Sequence, residues 1–230
     1  MVEINHVYNM DCETGMRAME PESVDCVITD PPYGIDYQSM WVKDSKKRKN
    51  KISGDKAPYI WFLRDAFRII KDDGFILCFC RWDTAEAFRK AIEWAGFVVK
   101  SQIVWDRCAH GMGNLKSQFA PKHDLIWFAT KGKYIFPGKR PPDIIHSMRV
   151  SGQSLKHPNE KPVDLLEQLI LSTTQEGDVV CDPFLGSGTT GVACVKNSRN
   201  FIGFDVDANY CEIATQRIQE ACKKQEGGAA

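Results

Sequence analysis

An aspartate that ends an apolar run and is followed by two prolines and a tyrosine is a candidate for chemistry. This pattern occurs in VDCVITDPPY, where Asp30, Pro31, Pro32 and Tyr33 follow a run typical of a strand buried on both faces. The prolines end the strand because neither has an N–H to donate to a sheet ladder. A rigid turn is the better explanation if the pattern stands alone, but a second strand end of the same form favours a functional site.

That second strand end lies in GDVVCDPFLGSGTTGVACV, where an aspartate, a proline and an aromatic residue again follow a buried run. Gly186 and Gly188 allow a tight turn and close approach of a ligand to the backbone. The helix predicted to begin at Thr189 presents N–H groups that favour a polar or anionic ligand group. The candidate cofactor-binding residues here are Asp182, Pro183, Phe184, Gly186, Ser187, Gly188, Thr189 and Thr190.

The glycine segment leaves a second interpretation open. Residues 186–191 match G-x-G-x-x-G, and Asp205 lies 17 residues past Gly188, about where the ribose-binding acid of a dinucleotide fold belongs. An oxidoreductase is therefore an alternative, although only about 40 residues follow the glycines, too few for the usual dinucleotide domain in direct chain order. A turn for close packing and a helix cap at Asp205 are the structural alternatives. A Walker loop is excluded because no lysine follows the glycines.

Both strand ends need a sheet that brings them together. Apolar runs alternate with helical patterns, which predicts an α/β fold with a mostly parallel, seven-stranded sheet and helices on both faces. Ligands in such sheets lie beyond the carboxyl ends of the strands, where the strand order reverses. If the two strands are neighbours there, one motif holds a cofactor and the other faces it with a substrate pocket. Predicted strands cover 4–8, 24–29, 75–80, 98–105, 124–129, 178–181 and 200–204; predicted helices cover 14–19, 59–70, 84–94, 163–173, 189–196 and 208–224.

Composition indicates one soluble domain over residues 1–230, with 43% hydrophobic and 26% charged residues. No apolar run reaches the roughly 18 residues of a membrane span, and the first residues lack a signal-peptide pattern, so we expect a cytoplasmic protein. The nine cysteines include no C-x-x-C pair, which argues against a zinc site or a disulfide framework. Nor do the histidines show ligand spacing at His110, His123, His146 and His157.

Basic residues are concentrated in two segments of a chain with no net charge. Residues 43–51 carry six bases and one acid, within a polar stretch at 38–57 that we predict to be a mobile basic loop. Residues 107–160, rich in glycine, proline and lysine around one strand, are predicted to form a small inserted loop region that recognises the target. Such segments suit a polyanion. Candidate nucleic-acid contacts are Lys43, Lys46, Lys47, Arg48, Lys49, Lys139, Arg140 and Arg149.

These motifs resemble the DNA amino-methyltransferases that use S-adenosylmethionine, in the permuted class where D-P-P-Y precedes the F-x-G-x-G cofactor loop. The resemblance covers nearly the whole chain and implies a Rossmann-like methyltransferase fold. Asp11, with its neighbour Cys12, is similar to the segment whose acid binds the cofactor's adenine. The run from 122 to 133 resembles the family's H-E-Y strand, with Asp124 where glutamate is usual. The run from 157 to 170 resembles the segment that precedes the cofactor loop, and its matching residue Lys161 is a further candidate for cofactor binding. The segment between them is short, which argues against recognition of a long DNA sequence.

The resemblance implies methyl transfer to an exocyclic amine of a base flipped out of DNA, without a metal or a covalent enzyme intermediate. The Asp30 carboxylate and the Pro31 carbonyl would accept the two amine hydrogens, and Tyr33 would stack on the base. Aspartate at the first motif position favours adenine N6, because the cytosine-N4 branch of the family more often has serine there. Cytosine N4 stays the alternative. A silent nucleic-acid-binding module is disfavoured, since both Asp30 and Tyr33 are intact. A homodimer and a cognate restriction enzyme are candidate partners, and a prokaryotic or phage origin is expected.

Overall fold

The computed structural model describes residues 2–34, 57–111, 115–150 and 160–227, without side chains at 226 and 227. The predicted basic loop at 38–57 lies outside the described residues except for its last position. Five candidate nucleic-acid contacts, Lys43, Lys46, Lys47, Arg48 and Lys49, lie outside them as well.

One mixed sheet of eight strands forms the centre of the described part of the chain, in the order β1-β8-β7-β2-β3-β5-β4-β6. Within this sheet β5 is antiparallel to both of its neighbours, β3 and β4, and the other neighbouring pairs are parallel. The strands are β1 His6–Asn9, β2 Val24–Thr29, β3 Ile70–Cys80, β4 Val98–Asp106, β5 His123–Thr130, β6 Ile144–His146, β7 Val179–Asp182 and β8 Asn200–Asp205.

The strand order reverses between β2 and β7, as the two motifs require. From β2 the chain adds strands on one side up to β6, then returns to place β7 on the other side of β2, followed outward by β8. The pairing of β2 with β7 is parallel and sets Val27 beside Cys181. The carboxyl ends of both strands therefore lie at the same edge of the sheet, which confirms the expected neighbourhood of the motifs.

Helices pack on this sheet in two groups. α2 contacts both α1 and α3, and α5 contacts both α4 and α6. The central strands are buried almost throughout, because helices cover such strands on both faces. The helices are α1 Cys12–Arg17, α2 Leu63–Ile69, α3 Ala85–Ala95, α4 Val163–Thr173, α5 Thr189–Lys196 and α6 Ala208–Gly227. None of these helices has both the length and the apolar character needed to cross a bilayer.

Two predictions about the elements were wrong. The sheet has eight strands, not seven, because β6 has only three residues and its Gly- and Pro-rich surroundings carry no strand-like run. The helix predicted over 59–70 is confined to Leu63–Ile69. The amide of Tyr59 donates instead to the Pro32 carbonyl at 3.0 Å, and Ile70 already pairs with Val24 in the sheet.

Candidate active site at the carboxyl edge of the sheet

The two motifs meet through a direct hydrogen bond between their strands. Thr29, the last residue of β2, donates its hydroxyl to a carboxylate oxygen of Asp182 at 3.0 Å. Both side chains are buried. The next residue after Thr29 is Asp30, so the bond ties the catalytic candidate to the strand that carries the glycine loop.

Asp182 organises the start of that loop. The Thr190 hydroxyl donates to its second oxygen at 2.6 Å, and the backbone N–H of Phe184 donates at 3.0 Å. Burial raises the pKa of Asp182 from 3.8 to about 6, while the bonds from Thr190, Phe184 and Thr29 act in the opposite direction. A buried carboxyl with three donors fixes the turn on which α5 begins.

At two positions of the glycine loop, the backbone has a conformation that only glycine adopts without strain. Gly186 and Gly188 have φ values of 53° and 86°. A Cβ on Gly188 would lie 2.8 Å from the Ala214 Cα, so the loop also packs too closely on α6 for a side chain. This is the close packing named as the structural alternative for the glycine turn, and the approach of a ligand to the loop backbone stays a prediction.

Asp205, a predicted cofactor ligand, is engaged with the same loop. One carboxylate oxygen accepts the Gly186 N–H at 2.9 Å, and the other accepts the Asp207 N–H at 2.9 Å. Burial raises the pKa of this carboxyl. The side chain therefore fixes the loop, and its further contact with a cofactor stays a prediction.

Arg217 is a residue of this site that carried no signal in the sequence. Its guanidinium donates to the Ser187 carbonyl at 2.7 Å and to the Ser187 hydroxyl at 2.8 Å. It also forms an ion pair of 2.7 Å with Glu160. Through these bonds α6 connects the glycine loop to the segment that contains Lys161. In the sequence only Glu160, the ion-pair partner of Arg217, stands next to a matched family residue, Lys161.

Asp30 holds two partners at the end of β2. One carboxylate oxygen accepts the Tyr33 hydroxyl, and the other accepts the Lys161 ammonium. Tyr33 is only 8% exposed, and its ring packs edge-on against Phe88. Burial, followed by the nearby charge of Asp30, raises the pKa of Tyr33 well above its usual value, which keeps the phenol protonated.

Lys161 lies with the catalytic candidates rather than on the glycine loop. Its ammonium is 5.1 Å from the centre of the Phe79 ring and 5.8 Å from that of Tyr33, and the side chain is 11% exposed. A cation over aromatic faces and next to a carboxylate is strongly held. Phe79, on β3, is a second member of the site that the sequence did not reveal.

The backbone of the Asp-Pro-Pro-Tyr segment is tied to the chain before α2. The Pro32 carbonyl accepts the Tyr59 N–H at 3.0 Å, and Tyr33 forms an isolated bridge with Pro58. The Tyr59 hydroxyl in turn donates to Glu13 of α1 at 2.7 Å. These contacts hold the segment beside the first helix.

Asp11 lies at the same edge of the sheet, after β1. It caps α1 by accepting the Thr14 N–H at 3.0 Å, and Cys12 beside it is buried. Because β1, β8, β7 and β2 are successive parallel strands, Asp11, Asp205, Asp182 and Asp30 form a row along the sheet edge.

The predicted target-contact residues that the structure describes are exposed. Lys139 and Arg140 lie between β5 and β6, and Arg149 follows β6. Among the described residues, Asp30 is hydrogen-bonded to Lys161 and the Gly186 N–H to Asp205, not to these three side chains. Their assignment to nucleic-acid binding stays a prediction.

Comparison with known proteins gives consistent similarities over nearly the whole chain. A family model for N6/N4 enzymes, described as DNA methylase, matches residues 24–216. The type II methyltransferase M2.DpnII of Streptococcus pneumoniae is 30% identical over 229 residues, covering 89% of this chain and 85% of that protein. The crystal structure of the M1.HpyAVI–SAM complex is 25% identical with a TM-score of 0.70, covering 92% and 98% of the two chains. The PvuII DNA methyltransferase, described as cytosine-N4-specific, shares the fold at 17% identity with a TM-score of 0.73, covering 99% and 94%.

Proposed function

This chain belongs to the N6/N4 DNA methylase family, and from that premise we propose that it transfers a methyl group from S-adenosylmethionine to the N6 amine of adenine in DNA. The observation that carries the proposal is the placement of Asp30 and the Asp182 loop on neighbouring strands where the sheet order reverses. A substrate pocket and a cofactor pocket at one edge suit direct group transfer. The family also favours this reaction over the dinucleotide alternative.

The residues at the edge fit S-adenosylmethionine. The row of carboxylates offers acceptors for the hydroxyl and amine hydrogens of a nucleoside and a negative field for its cationic groups. Gly186, at a φ of 53°, adds no side chain to the loop, so that a ligand can approach the backbone there. We assign this binding to Asp11, Cys12, Asp182, Pro183, Phe184, Gly186, Ser187, Gly188, Thr189, Thr190 and Asp205.

The chain's own contribution to the reaction is positioning and electrostatics. When bound, S-adenosylmethionine supplies an electrophilic methyl group on a sulfonium. The Asp30 carboxylate and the Pro31 carbonyl accept the two hydrogens of the target amine, which directs the nitrogen lone pair toward the methyl group. The Tyr33 hydroxyl orients the Asp30 carboxylate, and we assign to the face of its ring the stacking of the flipped base.

Adenine is preferred here because aspartate stands at the first position of the D-P-P-Y motif. Phosphate contacts are assigned to the basic segment at 43–51 and to Lys139, Arg140 and Arg149, which would give affinity with little sequence choice. We further propose a single catalytic domain over residues 1–230, with target recognition by 107–160. A homodimer, a cognate restriction enzyme and action in the cytoplasm stay predictions.

Nucleoside mass spectrometry tests the proposal directly. DNA incubated with the protein and S-adenosylmethionine is expected to yield N6-methyladenine, and Asp30→Ala is expected to abolish it while still binding the cofactor. Asp72→Ala, which removes a well-exposed aspartate far from the motif in sequence, serves as the matched control and should retain activity. N4-methylcytosine in place of N6-methyladenine would overturn the choice of base and keep the role of Asp30. Full activity of Asp30→Ala would overturn the mechanism.

A further inference from the structure

Asp106, Cys108 and His146 bring three different metal-binding groups together outside the proposed active site. One carboxylate oxygen, the Cys108 sulfur and one imidazole nitrogen all lie within 4.8 Å of one another. We propose that these three side chains bind a divalent transition-metal ion of the zinc type. The site rests on these residues alone and is independent of the proposed methyl transfer.

The fold builds this cluster from residues that are distant in the sequence. β4 and β6 pair in parallel with Asp106 directly beside His146, and the carboxylate lies 3.1 Å from the imidazole Nδ1. The Cys108 N–H donates to the other Asp106 oxygen at 2.9 Å, which folds the chain back after β4. The Cys108 sulfur then lies 3.6 Å from the Asp106 carbonyl. Two strands and one tight turn therefore fix the three ligand groups.

The donor set decides which ions fit. One thiolate sulfur, one imidazole nitrogen and one carboxylate oxygen are ligands that zinc-like ions accept, whereas Mg²⁺ and Ca²⁺ take oxygen ligands. Three protein ligands leave a tetrahedral ion one position for water. Because Cys108 and His146 are exposed, an ion and its water can reach the site from solvent.

Among the described residues, the positive charge of Lys122 opposes the ion. The Lys122 ammonium lies 3.1 Å from the Asp106 oxygen that faces His146. About half of the Lys122 side chain is exposed, and such surface ion pairs contribute little free energy, so the lysine can withdraw into solvent when an ion binds. Removal of this positive charge should consequently strengthen metal binding.

This site carries no signature in the sequence. The spacing of the cysteines and histidines argues against a metal, because ligand motifs with short regular spacings are the ones that a sequence displays. Here one ligand lies 38 to 40 residues beyond the other two and arrives through strand pairing. The expectation of no metal therefore does not extend to a site assembled by β6.

Cobalt titration of the purified protein, kept reduced with a phosphine, tests the proposal. Co²⁺ alone is the probe, since a cysteine ligand gives a thiolate-to-cobalt absorption band. The unmodified protein should show the band, Cys108→Ser should lose it, and Asp106→Asn and His146→Gln should each lower the affinity by about tenfold or more. Lys122→Met should raise the affinity. Cys222→Ser, at a partly buried cysteine of α6, is the matched control and should retain the band.

Far-ultraviolet circular dichroism and binding of S-adenosylmethionine separate a local effect from unfolding or a failed methyltransferase assignment. All variants should keep the circular dichroism of the unmodified protein. The proposal is overturned if the unmodified protein gives no band, or if the band survives in Cys108→Ser. It is also overturned if His146→Gln and Asp106→Asn bind cobalt as tightly as the unmodified protein.

Discussion

The hydroxyl of Thr29 donates to the buried carboxylate of Asp182 at 3.0 Å, across 153 positions of sequence. The bond joins the strand that presents Asp30 to the strand that presents the glycine loop. Thr190 donates to the other oxygen of the same carboxylate at 2.6 Å. Asp182 therefore lies at the junction of the proposed substrate and cofactor pockets. We expect the free energy of unfolding to depend on whether its carboxyl is ionised.

Replacement of Asp182 by asparagine should change the pH dependence of stability. Burial raises the pKa of Asp182 to about 6 in the folded chain, so the stability that its neutral form contributes is fully present below about pH 4 and is lost as the pH rises through about 6. Above that range the ionised carboxyl costs about 3 kcal/mol relative to an unshifted one. Asparagine does not titrate, so the stability of Asp182→Asn relative to the unmodified protein should increase from about pH 4 to about pH 7.

Urea unfolding of both proteins at several pH values measures this difference. Asp72→Asn, at an exposed position, is the matched control for the loss of one carboxyl. A flat difference for Asp182→Asn would mean that the carboxyl is not destabilised by its burial.

The two motifs could be predicted because each is a local signal: a short apolar run, an aspartate, a proline and an aromatic residue. Their adjacency followed from a general rule about where strand order reverses, and the pairing of β2 with β7 confirms it. Arg217 and Phe79 could not be found this way. A polar residue on the amphipathic α6 and an aromatic residue in a buried strand look ordinary until the fold brings them to Ser187 and Lys161.

The strand β6 was missed for a different physical reason. Its three residues are held by the edge of β4 and not by an apolar pattern of their own, so local propensity contains too little information. The same pairing supplies His146 to the proposed metal site. Because β6 could not be predicted from the sequence, the position of His146 beside Asp106 could not be predicted either.

Substitution of Gly188 by alanine should destabilise the fold more than the same change at Gly177. Both glycines have φ near 85°, so both variants carry the cost of a left-handed backbone. A Cβ at Gly188 would also meet the Ala214 Cα at 2.8 Å, whereas a Cβ at Gly177 has no atom within 4 Å. We expect the extra steric cost at Gly188 to be about 1–3 kcal/mol in the free energy of unfolding.

Denaturant unfolding of the two variants gives this comparison, and their affinities for S-adenosylmethionine give a second one. Gly188→Ala should also weaken cofactor binding because α6 and the loop must separate. Equal stability of the two variants would show that the loop moves away from Ala214 at no cost.

Loss of the exposed bases Lys139 and Arg140 should weaken DNA binding and its dependence on salt. If each side chain neutralises one phosphate, the negative slope of log affinity against log salt should become shallower by about one for each of the two bases that is changed to glutamine. Lys223→Gln with Lys224→Gln removes the same charge from the exposed end of α6 and is the matched control. An unchanged slope for the Lys139 and Arg140 variant, measured by fluorescence anisotropy, would exclude both residues from the interface.

Substitution of Lys161 by methionine tests which of two functions this lysine has. Its family resemblance predicted cofactor binding, but its ammonium contacts Asp30 and lies over the Phe79 and Tyr33 rings. Methionine keeps the packing on those rings and removes the charge that holds the Asp30 carboxylate. We therefore expect Lys161→Met to lower the rate of methyl transfer at saturating S-adenosylmethionine by about tenfold or more while the cofactor Kd stays within about twofold.

Lys131 provides a closely matched control because its ammonium also lies over an aromatic ring, Phe67, and it is 12% exposed against 11% for Lys161. Lys131→Met removes a comparable buried charge away from Asp30 and should leave the methyl-transfer rate unchanged. Single-turnover kinetics and calorimetric cofactor binding measure the two quantities separately. A raised cofactor Kd with an unchanged rate at saturation would instead assign Lys161 to the cofactor pocket, as the sequence predicted. A lowered rate with an unchanged cofactor Kd would assign Lys161 to the positioning of Asp30. Loss of the contact between Lys161 and Asp30 lowers the rate even when all of the enzyme has cofactor bound.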